Sequence, residues 1–303
     1  MYFILFEKSM TEISEKYNLN QFKFDWDLYV QSTRGQILDK IEKSWWKLYL
    51  EICWDPVKDQ FAFDLMQWYS SDITKKIFLP LKDQTDILFC VNSDDILDSE
   101  KTINGVPYAD FLETKLMVIE RTYWVKPIIV INNIDISAMF DLILNFERRF
   151  QKKQYRVFER YKISWYPYNL KNMLSENWFW EDDHIPVTKK LVLVMWWNEN
   201  CGKFSTCLGQ IYLDSTIEIV SWYAKLFILP LCDLPLDHAI NSAYSEMSWS
   251  ELCLDKNWGT VNKWDIEKID ILMSMANRIF EWDSYIMSYK NVWDMIINVN
   301  FLI

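Results

Sequence analysis

"KLVLVMWWNENCGKFSTCLGQIY", residues 190–212, decides how this chain is read. An unbroken apolar run enters two adjacent tryptophans, crosses a polar loop and resumes as a mixed segment. The pattern occurs twice. Residues 47–69, "KLYLEICWDPVKDQFAFDLMQWY", align with it without a gap, and eight of 23 positions are identical. Leu48/Leu191, Leu50/Leu193 and Trp54/Trp197 share one parity; Phe61/Phe204, Leu65/Leu208, Gln67/Gln210 and Tyr69/Tyr212 share the other. Alternate residues of a strand point to opposite faces. The identities therefore predict two strands with a common buried face, joined by "DPVKDQ" in one copy and "NENCGK" in the other, with Pro56 and Gly202 as turn residues. This is the pattern of an antiparallel hairpin. It puts Trp197 in the core and leaves Trp68 and Trp196 on the unshared face.

The surroundings extend the duplication. "IFLPL" at 77–81 and "LFILPL" at 226–231 follow the two copies. Ser32 or Thr33 offers a helix cap before Ile37, Ile41 and Trp45, which recur at fourfold spacing. Residues 137–162 read as one long helix with a stripe through Phe140, Ile143, Phe146 or Phe150, Val157 and Tyr161; residues 265–289 read likewise behind Asp265. "DILFCV" at 86–91 and "KPIIVINNI" at 126–134 read as strands. The expected fold is α+β: two pseudo-repeated units, 1–135 and 136–303, each with helices and an antiparallel hairpin or sheet, packed into one compact chain. A single continuous domain with pseudo-twofold symmetry is the alternative.

The chain has 303 residues, half of them hydrophobic, with 17 Trp and 5 Gly. Such a composition supplies a large core and argues against disorder. The net charge of −11 repels nucleic acid and favours a basic partner. Only five apolar residues stand between Met1 and Glu7, too few for a signal-peptide core, and no apolar run nears membrane-spanning length, so a cytoplasmic location is expected. The six cysteines then read as buried thiols, and Cys201 and Cys207 lack a zinc-like spacing and neighbouring His.

Four constellations carry possible chemistry. Arg148, Lys152, Arg156 and Arg160 fall four apart and would make one cationic stripe on the expected helix, suited to a phosphate or an acidic surface. "WFWEDDHIP" at 178–186 places Glu181, Asp182 and Asp183 beside His184 on an acidic loop. Asp237–His238 with nearby serines has pieces of a hydrolase triad but no nucleophile elbow. The sparse glycines argue against a dinucleotide fingerprint or phosphate-binding loop. No catalytic residue, metal site or cofactor is expected.

A helix followed by a Trp-led hairpin, around "WWKLYLEICWDPVKDQFAF", resembles small bacterial toxin-immunity proteins over about 30 residues of each copy. The resemblance implies a protein that binds and blocks another protein. The leading expectation is a non-enzymatic binding module, an inhibitor or immunity-type protein, that meets a basic partner through Trp68, Trp196, Glu181, Asp182 and Asp183. An enzyme anchoring a phosphate-bearing ligand on the 148–162 stripe is the alternative, and an assembly subunit is a third.

Overall fold

The computed structural model describes residues 12–44, 47–52, 70–135, 140–166, 168–174, 182, 184–196, 201–227, 234–248, 251–255, 259–279 and 294–297. Their centre is a seven-stranded parallel sheet. In chain order its strands are β1 (Lys47–Ile52), β2 (Thr85–Asn92), β3 (Ile128–Ile134), β4 (Val157–Tyr161), β5 (Leu191–Met195), β6 (Ser221–Leu226) and β7 (Ile296–Ile297). Across the sheet they run β7-β6-β1-β5-β2-β3-β4. Without β1, this is the 3-2-1-4-5-6 order of a doubly wound, Rossmann-like sheet, with β1 inserted between β5 and β6.

The fold is therefore α/β, and the expected pair of hairpin-bearing units is overturned. Strands from either side of residue 135 interleave: β5 lies between β1 and β2, and β3 pairs with β4. The segment 190–212 is not a hairpin. After β5 the chain forms a helix at Lys203–Thr216. Phe204, Leu208 and Tyr212 share a parity because they are four apart, and four residues are about one helical turn as well as two strand steps. The first copy beyond Ile52 lies outside the described residues. The duplication still has a physical counterpart, because Leu48 and Leu50 sit opposite Leu191 and Leu193 in the parallel ladder.

The apolar runs explain why these strands are parallel and central. All five side chains of β5 are fully buried, and a strand covered on both faces needs no polar alternation. Each such Leu, Val or Met side chain stabilises by roughly 1.5–3 kcal/mol. Trp196, at the end of this strand, is 1% exposed, with its ring 4.4 Å from Phe89 and 6.2 Å from Phe111.

The helices that matter for the site are, in chain order, α1 (Trp26–Ser44), α2 (Ile73–Phe78), α3 (Ser93–Leu97), α4 (Tyr108–Tyr123), α5 (Phe140–Gln151), α6 (Leu170–Met173), α7 (Lys203–Thr216), α8 (Ala239–Ser248) and α9 (Lys263–Ile279). The expected single helix over 137–162 is instead α5 followed by β4. Its stop uses no glycine. Gln154 adopts φ 65°, its N–H donates to the Gln151 carbonyl, and the Tyr155 N–H donates to the Phe150 carbonyl. These two bonds make a Schellman cap, with Gln in the left-handed position usually held by Gly. Arg148 is on α5, Lys152 in the cap, Arg156 before β4 and Arg160 within it, so the four cations do not form one helical stripe.

The two faces of the sheet differ in character. Leu48, Leu50, Ile87, Phe89, Ile129 and Ile131 make an apolar face that α4 reaches through Phe111. The α7 face carries polar rows: Lys47, Tyr49 and Glu51 on β1 beside Ser221, Tyr223 and Lys225 on β6, and Cys90, Asn132 and Arg160 on β2, β3 and β4. Buried polar groups need partners, and α7 supplies many of them.

Candidate functional site

At the carboxyl ends of β2, β3 and β4, beside the first turn of α7, lies an open cavity of about 370 Å³. It sits at the switch point of the sheet: the chain runs outward from β2 to β4, then returns at β5 on the other side of β2. Such crevices are where doubly wound sheets hold ligands.

The loop after β5 is built into this site by Asn132. Its Nδ2 donates to the Cys201 carbonyl at 2.9 Å, and its Oδ1 accepts from Thr206 Oγ1 at 3.0 Å. Gly202 caps α7 at φ 78° without a side-chain cap. A Cβ there would lie 2.5 Å from Asn132 Cγ. Two constraints thus demand glycine: a left-handed backbone and no room for a methyl. The first turn of a helix leaves backbone N–H groups without intrahelical acceptors and carries the positive end of the helix dipole. Lys203 follows immediately. It is 8% exposed, and its Nζ donates to the Trp196 carbonyl at 2.8 Å and to Cys201 Sγ at 3.2 Å. Ser205, one turn in, lines the cavity.

A Gly-Lys pair between a buried strand and a helix occupies the place it has in phosphate-binding loops. The sequence departs from that pattern at Trp197 and Phe204, where those loops have Gly and Ser or Thr.

The far wall is Arg160, 3% exposed. Its guanidinium donates to Asp182 Oδ2 at 2.8 Å and to Gln210 Oε1 at 2.7 Å, while Nε has no acceptor. Asp182 Oδ1 also accepts from the Tyr161 backbone N–H. Gln210 ties α7 to the 184–189 segment through the Ile185 N–H and carbonyl. The Tyr166 hydroxyl, also in the wall, is buried without a partner. Burial, then the Glu51 charge, push its pKa well above the usual phenol value, so it is a neutral donor. Asn92, Asn133 and Lys162 add donors, and Asp94 adds a carboxylate. Asn133 takes φ 63° at an irregularity in the β3–β4 register, a bend of the kind that re-aims side chains at strand ends.

On the other side of the first turn of α7 lies a buried ionic cluster. Glu51 accepts from the Tyr223 hydroxyl at 2.6 Å and pairs with Lys268 at 3.4 Å; Asp265 pairs with Lys225 at 3.1 Å. Burial alone would raise the Glu51 pKa, but Lys268, Lys225 and Lys203 outweigh it and hold the carboxyl at about 2. Farther along α7, Asp214 accepts from Lys47 Nζ, the Tyr49 hydroxyl and His184 Nε2, at 3.1, 2.8 and 2.8 Å. Thiol chemistry has little support at Cys90, whose pKa burial pushes up to about 12.

The expected site residues are dispersed. Arg160 reaches the cavity; Arg148, Lys152 and Arg156 are exposed, with Arg156 donating to the Pro186 carbonyl at 3.0 Å. Trp196 and Asp182, expected on a partner-binding surface, are both buried, and Asp182 lines the cavity. Trp68, Glu181 and Asp183, like the expected core residue Trp197, lie outside the described residues. Asp237 and His238 do not join the cavity lining. Among the described residues no group of three or more His, Cys, Asp or Glu could hold a metal ion, and no helix is long and apolar enough to cross a membrane. Asn132, Gly202, Lys203 and Ser205 were not foreseen. Their signal is the Gly-Lys pair that follows, after "NENC", a run too apolar for a hairpin strand.

The chain is similar to bacterial proteins described as UPF0371 proteins. That of Streptococcus uberis is 28% identical over 227 residues, 75% of this chain and 45% of its own length. The Corynebacterium efficiens protein is 28% identical over 222 residues, 73% and 44%. The Streptococcus sanguinis protein is 27% identical over 279 residues, 88% and 56%. The chain thus spans about half the length of these relatives. The family profile described as "Domain of unknown function DUF1846, N-terminal" matches residues 22–298, and this chain belongs to that family.

Proposed function

We propose that this chain binds a phosphate-bearing small molecule in the crevice between the first turn of α7 and Arg160. The observation that carries the reading is Arg160 itself: a guanidinium buried in a cavity wall whose Nε has no acceptor. A buried donor without an acceptor costs free energy, and the same guanidinium lines the cavity, where an anion oxygen could draw it to a new partner. The helix start is a second support, since its free N–H groups and dipole favour anions.

Asp182 pairs with Arg160, and the lining also holds one carboxylate, Asp94, and one ammonium, Lys162. Recognition therefore rests on directed donors more than on net positive charge. Asn92, Asn133, Ser205 and the Tyr166 hydroxyl supply them alongside the helix. The basic 148–162 stripe is not part of this reading, apart from Arg160.

Calorimetric titration with pyrophosphate tests it. The wild type is expected to bind. Lys162→Met and Ser205→Ala, both at the cavity surface, are each expected to weaken binding by about 2–10-fold, the net value of one hydrogen bond or charge contact. Absence of binding to the wild type, or wild-type affinity in both variants, would refute it.

A further inference from the structure

Among the described residues two indoles are more than three-quarters exposed, Trp124 at 80% and Trp165 at 82%. Trp124 carries the Lys82 ammonium on its ring at 4.9 Å and ends α4, just before β3 begins. It is thus at the amino edge of the sheet, away from the cavity. Trp165 is at the carboxyl edge, in the turn after β4, between Ile163 and Tyr166, which both line the cavity.

The conformation of Trp165 is unusual. It takes φ 64°, a left-handed backbone that is a genuine outlier for a bulky residue; Trp124 takes φ 58° as well, so what sets Trp165 apart is its place in sequence between two cavity-lining residues. The turn that imposes it is closely held. The Trp165 carbonyl accepts from the N–H groups of Tyr168 at 2.9 Å and Asn169 at 3.1 Å, and the Tyr166 N–H donates to the Ile163 carbonyl at 3.2 Å. The Tyr168 hydroxyl ties the turn to Glu267 of α9 at 3.2 Å. Backbone strain of this kind concentrates at ligand sites. Here it keeps a large apolar ring in water beside a donor-lined cavity, where burying it would be favourable.

We infer that the ligand is a nucleotide whose phosphate sits at Arg160 and α7 and whose base stacks on Trp165. This rests on the phosphate reading and deepens it. A cavity of about 370 Å³ is at the small end for ligand pockets. It accommodates the phosphate and sugar and leaves the base at the rim, beside the turn that presents the indole. Aromatic stacking accepts any base, because each has a flat π face.

The test is calorimetric titration of the full chain with ADP and with pyrophosphate, for wild type, Trp165→Ala and Trp165→Phe. The inference predicts ADP binding about tenfold or more tighter than pyrophosphate, the scale of one base–aromatic stack. Trp165→Ala should lose that advantage, Trp165→Phe should keep most of it, and pyrophosphate affinity should not change. The residue is 82% exposed, so both variants should melt with the wild type. If pyrophosphate binds but ADP is no tighter, or Trp165→Ala leaves ADP affinity intact, the nucleotide assignment is overturned and the phosphate reading stands. If neither probe binds, both are overturned.

Discussion

Gly202→Ala is the sharpest perturbation of the loop that carries the proposed anchor. At φ 78° an L-residue pays for a left-handed backbone, about 1–2 kcal/mol. The added methyl also cannot be accommodated where it stands: Asn132 Cγ, Cβ and Oδ1 would lie 2.5, 2.6 and 2.9 Å away. Relief requires Asn132 to rotate. That breaks its bonds to the Cys201 carbonyl and the Thr206 hydroxyl and leaves buried polar groups unpaired, at about 1–3 kcal/mol each. A total loss of about 3–5 kcal/mol is expected in urea unfolding, where central values are summed and partial relaxation is allowed. A double-mutant cycle isolates the cause. Asn132→Ala keeps the Cβ and hence the clash, whereas Asn132→Gly removes it. In the Asn132→Gly background, Gly202→Ala should cost only the backbone preference, about 1–2 kcal/mol. If Gly202→Ala is within about 0.5 kcal/mol of wild type, the surface-substitution range, or if the cost is the same in both backgrounds, the clamp described for Asn132 is wrong.

Three further outcomes are expected. Trp196→Ala, which empties a fully packed site against Phe89 and Phe111, should destabilise by about 3–5 kcal/mol in the same assay; a near-neutral result would return Trp196 to the surface. Asp182→Ala leaves the Arg160 guanidinium buried without its carboxylate and should cost about 3–5 kcal/mol, again by urea unfolding. Two carboxyls give opposite pH signatures in stability. Burial, then the Glu159 charge, raise Glu147 to about 7; the folded protein holds this proton more tightly than the unfolded chain, so its contribution is present below the ordinary carboxyl range and is lost as pH climbs through about 7. Glu51, held at about 2, contributes above the ordinary range and loses that contribution as pH falls toward 2. The urea midpoint of the wild type should therefore fall from pH 5 to pH 8 by a component that Glu147→Gln removes; an unchanged slope in that variant would refute the assignment.

Several elements were legible in the sequence because their signals are local. "DILFCV" and "IIVINNI" are apolar runs at the positions of β2 and β3, and Ile37 and Ile41 mark the buried side of α1. The topology was not legible, for a definable reason. Residues at even spacing satisfy the strand period and the helical turn alike, so Phe204, Leu208 and Tyr212 could be drawn on either element. The unbroken "LVLVM" should have weighed more, since a hairpin strand with one solvated face alternates and a central parallel strand does not. The α5–β4 boundary was hidden because Gln154, not Gly or Pro, stops the helix. The site was missed by the same route. In the sequence Arg160 stands out only for its charge and its fourfold spacing, yet it matters as a buried residue of β4. Asn132 carries no charge, and its role as a clamp appears only when β3 is set beside the loop after β5.

The account turns on the crevice between α7 and Arg160, and a crystal structure of the chain soaked with pyrophosphate tests it most directly. Density for the anion is expected within hydrogen-bonding distance of the N–H groups of the first turn of α7 and of the Arg160 and Lys162 side chains in the cavity wall. An empty crevice at saturating pyrophosphate, or density only on the exposed cations Arg148 and Lys152, would contradict it.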